Sequence, residues 1–243
     1  MPADEKEMST FQYLKRKLHN FTHPKLGCIL MLHRVVKQRS DGDNRKLEVT
    51  PQFLEQTIKG YQKQGYRFVS IEEVCNIILS RKRPKEPFVC FTFDDGYQDT
   101  FSLAYPILKQ HNVPFAVYVT TGFIDKTAQM WWYEQTDVMD WGQVKILDND
   151  PLCTICVHTV THPRLSTLTE DSAHKEITSS KRRLEEVLGH PIQHFSYPHG
   201  DYNTTTIQLV KEANFKSSLM AWGGPIRRGA NLLLLPRIEL RQL

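Results

Sequence analysis

No run of about 18 apolar residues occurs in the chain, which leaves no candidate for a membrane-spanning helix. Cysteine is sparse and odd in number: Cys28, Cys75, Cys90, Cys153 and Cys156. Most of these sit inside apolar runs, the pattern of reduced core thiols rather than of a disulfide framework. Cys153 and Cys156 form a C-x-x-C, but their flanks read as a strand. A spacing of three there turns the side chains to opposite faces, so core packing fits better than a zinc or redox pair. Internal repeats, low-complexity tracts and linker-like stretches are missing. So is any cluster of basic and aromatic residues of the kind that binds nucleic acid. The opening Met1-Pro2-Ala3-Asp4-Glu5-Lys6-Glu7 lacks the basic-then-apolar order of a secretory leader, so a cytoplasmic location is expected.

What is present suits one globular domain. The 243 residues are 40% hydrophobic and 24% charged, and single barrels of this length are common. A formal charge of +4 permits an anionic substrate or surface without requiring one. Residues 1–25 read as a polar tail followed by a capping helix, with residues 26–243 as the catalytic domain. In that helix Phe11, Leu14, Leu18 and Phe21 share a face beside Lys15, Arg16 and Lys17. The face either caps the domain or makes a peripheral membrane contact.

Strand and helix signals then alternate. Strands are expected over 28–33, 66–69, 88–93, 113–120, 152–158, 193–197, 215–220 and 232–235. Helices are expected from Pro51, capped by Thr50, from the Ser70-to-Glu73 capping box, and over 99–111, 169–188 and 204–213. Repeated β-then-α units favour an α/β fold, either a parallel barrel or an open sheet.

The most telling residues are Asp94 and Asp95, followed by Gly96, at the end of a strand with the pattern of a buried one. Two like charges that close repel, and burying either needs a cation or several donors. His158 and His162, four residues apart, can share one metal if they lie on one helical turn. Imidazole and carboxylate donors suit zinc, and iron, cobalt or nickel fit the same set. His33, His158, the segment Tyr197-Pro198-His199-Gly200 and Arg237 also fall at strand ends. In a parallel barrel those ends form one face, the face that carries active sites.

The segments Thr92-Phe93-Asp94-Asp95-Gly96, His158-Thr159-Val160-Thr161-His162-Pro163 and Phe195-Ser196-Tyr197-Pro198-His199-Gly200 resemble the ordered motifs of the polysaccharide deacetylase family, carbohydrate esterase family four with its nodulation-type domain. The resemblance runs from about residue 28 to 238. Leu32-His33-Arg34-Val35, Trp131-Trp132 and Leu235-Pro236-Arg237-Ile238 are similar to the branch concerned with lipopolysaccharide and exopolysaccharide modification. The resemblance implies a distorted TIM-like barrel of about seven strands. It also implies divalent-metal-dependent removal of N- or O-acetyl groups from a carbohydrate or glycolipid. On the same footing Asp95, His158 and His162 would ligate the metal, zinc above all, Asp94 would be the general base and the His199 N–H would face the oxyanion.

Two departures stand out. The common arginine before the Tyr197–Gly200 segment is Ser196 here, which leaves Arg237 to tether Asp94. The common late histidine acid is replaced by Pro236-Arg237, which leaves His33 as acid. Arg237 and His33 also admit purely structural readings. Thr120 is expected to line the acetate pocket. Trp131, Trp132, Tyr133, Trp141 and Trp222 are either sugar-stacking platforms or core. A deformylase of a lipid-linked amino sugar and a non-catalytic carbohydrate-binding relic are the rival readings.

Overall fold

The computed structural model describes residues 25–130, 132 and 137–242. The expected N-terminal tail and helix, with Trp131 and Tyr133, lie outside those residues. The first strand, β1 (Lys25–Leu32), leads into two short paired strands, β2 (Arg34–Val35) and β3 (Glu48–Val49). Helix α1 (Pro51–Lys63) opens as the sequence foretold, with Thr50 Oγ1 accepting the Phe53 N–H and Pro51 at its first turn. β4 (Arg67–Phe68) and α2 (Ile71–Ser80) follow. The Ser70 hydroxyl caps Glu73 N–H, while the Glu73 carboxylate turns to Arg67. Next come β5 (Phe88–Phe93), a π-helical turn over Thr100–Ala104, α3 (Tyr105–Gln110), β6 (Phe115–Val119) and the short α4 (Thr121–Ile124).

The second half holds α5 (Trp141–Asp148), β7 (Cys153–Val157), α6 (Glu170–Leu188), β8 (His194–Ser196), α7 (Thr204–Glu212), β9 (Ser217–Leu219), β10 (Ile226–Arg227) and β11 (Ile238–Glu239). Leu232–Leu234, expected as a strand, is a 3₁₀ turn capped by Asn231. Its leucines lie partly exposed, as suits a turn lying over the edge of the core.

The strands run in the order β10-β1-β5-β6-β7-β8-β9, parallel except for β10. Residues 235–240 fill the gap between the ends of this path. On one side Leu235 N–H donates to Ser218 O and Met220 N–H to Leu235 O, both at 2.9 Å. On the other, β11 pairs with β1 at Leu30↔Ile238, and Leu240 N–H donates to Met31 O. This seam closes the sheet into the distorted barrel expected of the motifs.

Strand periodicity then places the chemistry. Val89, Phe91 and Phe93 of β5 join the large core beneath the helices, while Phe88 and Cys90 join the second core inside the barrel. Side chains alternate along a strand, so Thr92 and then Asp94 continue the inward set. Cys153 and Cys156 separate in the same way, one packing against each core.

Beyond β7 the chain leaves the sheet as a loop, so His158 and His162 are brought together without a helical turn. Thr159 and His162 have left-handed backbones, with φ of 66° and 61°. The loop presses on α4, where Gly122 N–H donates to Val160 O at 2.8 Å. A Cβ on Gly122 would stand 2.4 Å from that carbonyl oxygen. Gly122→Ala therefore forces the loop outward, and urea titration should show a loss of about 1–3 kcal/mol.

Candidate active site

A cavity of about 350 Å³ opens at the carboxyl ends of the strands. Asp94, Asp95, His158 and His162 form its floor, and His33, Trp132, His199 and Trp222 stand around it. The floor residues are buried, each less than about a tenth exposed.

Asp94 is held at both oxygens by one partner. Arg237 Nη1 and Nη2 donate to its two oxygens at 2.7 Å each. The remaining guanidinium hydrogens go to Thr92 Oγ1 at 3.2 Å, Ser196 Oγ at 2.9 Å and Met220 O at 2.7 Å. Every donor of Arg237 is thus engaged, which is how a side chain 1% exposed keeps its charge inside a barrel. Burial acts to raise the Asp94 pKa, but the Arg237 charge, with His158, Arg237's hydrogen bonds and His33, more than offsets it and holds the carboxyl down at about 2. Ser196, standing where an arginine was expected, supplies one of the anchors for the arginine that arrives from the seam.

Asp95 meets the opposite environment. Its backbone is left-handed (φ 72°), as is that of Gly96 (φ 82°), which turns the second carboxylate away from the first. Its Oδ1 is buried and has no hydrogen-bond partner. That oxygen lies 3.5 Å from His158 Nε2 and 3.3 Å from His162 Nε2. His158 Nδ1 is committed to the Ser196 carbonyl at 2.8 Å, so its proton sits there and Nε2 presents a lone pair. One donor atom from each of Asp95, His158 and His162 lies within 4.8 Å of the others. A bare carboxylate oxygen and two neutral imidazoles fit a divalent cation. Left to themselves the groups resist charge. Burial and Asp94 push the Asp95 carboxyl well up, while burial lowers His158 to about 4 and holds His162 well down.

Tyr97, which the motif reading passed over, holds Asp95 from behind. Its hydroxyl donates to the Asp95 carboxylate and accepts from Trp132 Nε1 at 3.0 Å. Its place one residue after Gly96 was the only signal for it. Trp132 continues over the site, with its ring centre 4.7 Å from that of His162. His199 flanks His162 from another side at 4.5 Å, on a left-handed backbone with φ 58°. His33 follows β1 on the cavity wall, where enclosure lowers its pKa and Asp94 works against that.

Two expected residues play other parts. Thr120 does not line the cavity; its hydroxyl donates to His158 O at 3.1 Å and steadies the loop. Tyr197 borders the cavity, but its ring lies in the outer core and its hydroxyl contacts Leu233 O and Ser218. Adjacent to inward-facing Ser196 on the strand, it must point the other way. Of the remaining tryptophans, Trp141 packs at the start of α5 and donates to Asp125, whereas Trp222 is 65% exposed at the cavity mouth.

A family model for polysaccharide deacetylase matches residues 81–218. The chain is 24% identical over 212 residues to YxkH of Bacillus subtilis strain 168, covering 87% of this chain and 70% of that protein. It is 21% identical over 207 residues to a poly-β-1,6-N-acetyl-D-glucosamine N-deacetylase of Staphylococcus aureus, covering 82% of this chain and 70% of that one. Among solved structures, the Streptococcus pyogenes deacetylase PplD in complex with acetate aligns with a TM-score of 0.78 at 28% identity, over 88% of this chain and 92% of that chain.

The Asp94–Arg237 pair sets a stability test. Arg237→Met strands a buried carboxylate and should cost about 3–5 kcal/mol, part of which Asp94→Asn added to it should restore. Asp94 titrates at about 2 in the fold, against about 3.9 unfolded. Its stabilisation is therefore full above pH ~4 and lost as pH falls through about 2. Acid titration followed by circular dichroism should show this component in the wild type and not in the double variant.

Proposed function

The chain belongs to the polysaccharide deacetylase family, and from that premise we propose that it hydrolyses the N-acetyl group of an amino sugar within a glycan. The observation that carries this reading is the division of two adjacent carboxylates. Asp94 is locked ionised by Arg237, and Asp95 aims a bare oxygen at two imidazoles. Asp95, His158 and His162 would hold a divalent cation, zinc first among those that suit the donors. Such an ion supplies Lewis acidity, stabilising negative charge on oxygen and making water more acidic.

The chain's own residues do the rest. Asp94 takes the proton of the attacking water. Arg237 fixes both its oxygens, so its lone pairs point in one direction, at the expense of basicity. The His199 N–H serves as donor to the oxygen that becomes negative in the transition state. His33 enters neutral, because enclosure lowers its pKa; it takes up the water proton that Asp94 removed and, so protonated, passes it to the departing nitrogen as the C–N bond breaks. Trp132 and exposed Trp222 offer faces on which sugar rings stack. A hydrolysed O-acetyl or N-formyl group would use the same apparatus, which favours none of these acyl groups by geometry alone.

Asp94→Asn should reduce turnover by about 10²–10⁴-fold while metal content stays at the wild-type level. His162→Ala should lower metal content itself. Mass spectrometry of the metal-loaded enzyme with N-acetylated, O-acetylated and formylated sugars, free and lipid-linked, identifies the acyl group by its mass loss. Undiminished hydrolysis by Asp94→Asn would remove the base assignment. No product from any substrate would favour a binding relic.

A further inference from the structure

The ligand set is anchored unequally. His158 is fixed by the sheet, through its N–H to Val119 O at 2.9 Å and its ring to Ser196. Asp95 is held by Tyr97. His162 lies beyond β7 on an irregular loop, and its buried Nδ1 has no partner to orient the ring. The loop has to be held from outside the sheet.

Helix α6 provides the hold. Glu176 Oε2 accepts the N–H groups of Val160 and Thr161, both at 2.9 Å, and its Oε1 accepts the Thr161 hydroxyl at 2.8 Å. One turn further on, Ser180 Oγ donates to Thr159 O at 2.8 Å. The residues i and i+4 on one helical face thus grip three consecutive loop residues immediately before His162. Consecutive N–H groups converging on one carboxylate oxygen fix the direction of the peptide planes between them, and hydrogen bonds to a charged acceptor are the stronger kind. Left-handed backbone at Thr159 and His162 persists only where its surroundings over-determine it.

We propose that Glu176 is a positioning residue for metal binding: it sets the affinity of the Asp95–His158–His162 site by holding residues 160–161 so that His162 Nε2 faces Asp95. This rests on the reading of those three residues as metal ligands. Groups that orient ligands in this way typically change metal affinity by about 10–100-fold when removed.

Co²⁺ is the probe, with affinity measured by calorimetry on the full chain and ligand geometry by the visible absorption of the bound ion. Glu176→Leu should weaken Co²⁺ binding about 10–100-fold and alter the spectrum. Glu176→Gln keeps a carbonyl oxygen for the two N–H groups and an amide that can donate to the Thr161 hydroxyl, so it should bind within a few-fold of wild type. Ile177→Val, a buried change on the same helix at a side chain that makes no hydrogen bond to the loop, should lower the melting temperature of the metal-free protein without changing Co²⁺ affinity. If Glu176→Leu does not fold, Glu176→Asp, too short to reach both N–H groups, takes its place with the same expectation. Wild-type Co²⁺ affinity and spectrum in the folded Leu or Asp variant overturn the proposal, as does equal weakening by Ile177→Val. A wild type that binds no Co²⁺ instead overturns the metal reading, and the proposal with it.

Discussion

The site depends on one buried ion pair. Arg237 and Asp94 face each other with two hydrogen bonds of 2.7 Å in a region where neither charge could survive alone. The pair offsets part of the repulsion between two neighbouring aspartates, although Asp94 still pushes the Asp95 carboxyl up. The left-handed turn at Asp95 and Gly96 directs the second carboxylate away from the first. Remove the arginine and both carboxylates would compete for the same protons.

Around this pair the barrel works as a ruler. The carboxyl ends of β5, β8 and β9 reach the same level, so Thr92, Ser196 and the Met220 carbonyl converge on the guanidinium. His158 is the next group after β7 and inherits its position from the register of that strand. The elements outside the sheet have a different task. α4 and α6 brace the loop that carries His162, which the strands do not position.

Much of this was legible in the sequence, and the portions that were not share a cause. The apolar run Phe88-to-Phe93 and the repeated β-then-α order locate the strands and their carboxyl ends. The missing arginine at Ser196 pointed to Arg237 because a buried carboxylate requires a cation from somewhere. Thr120 was misplaced because standing at a strand end does not say where a hydroxyl points. Thr120 turns to a backbone carbonyl, and Tyr197 lies on the outward parity. Leu232–Leu235 looked like a strand because an apolar run carries no signature of the 3₁₀ turn that Asn231 initiates. Tyr97 and Glu176 left little trace, since their partners are set by tertiary approach rather than by spacing.

The seam has a temporal consequence. Asp94 and its arginine are 143 positions apart in the chain, and the arginine rides on the segment that joins β9 to β1. Contacts of such long range bear the greatest loop-closure entropy. A growing chain therefore carries Asp94 and Asp95 as unresolved neighbours until residues 235–240 are made and dock. The event that closes the barrel is thus also the event that gives Asp94 its arginine.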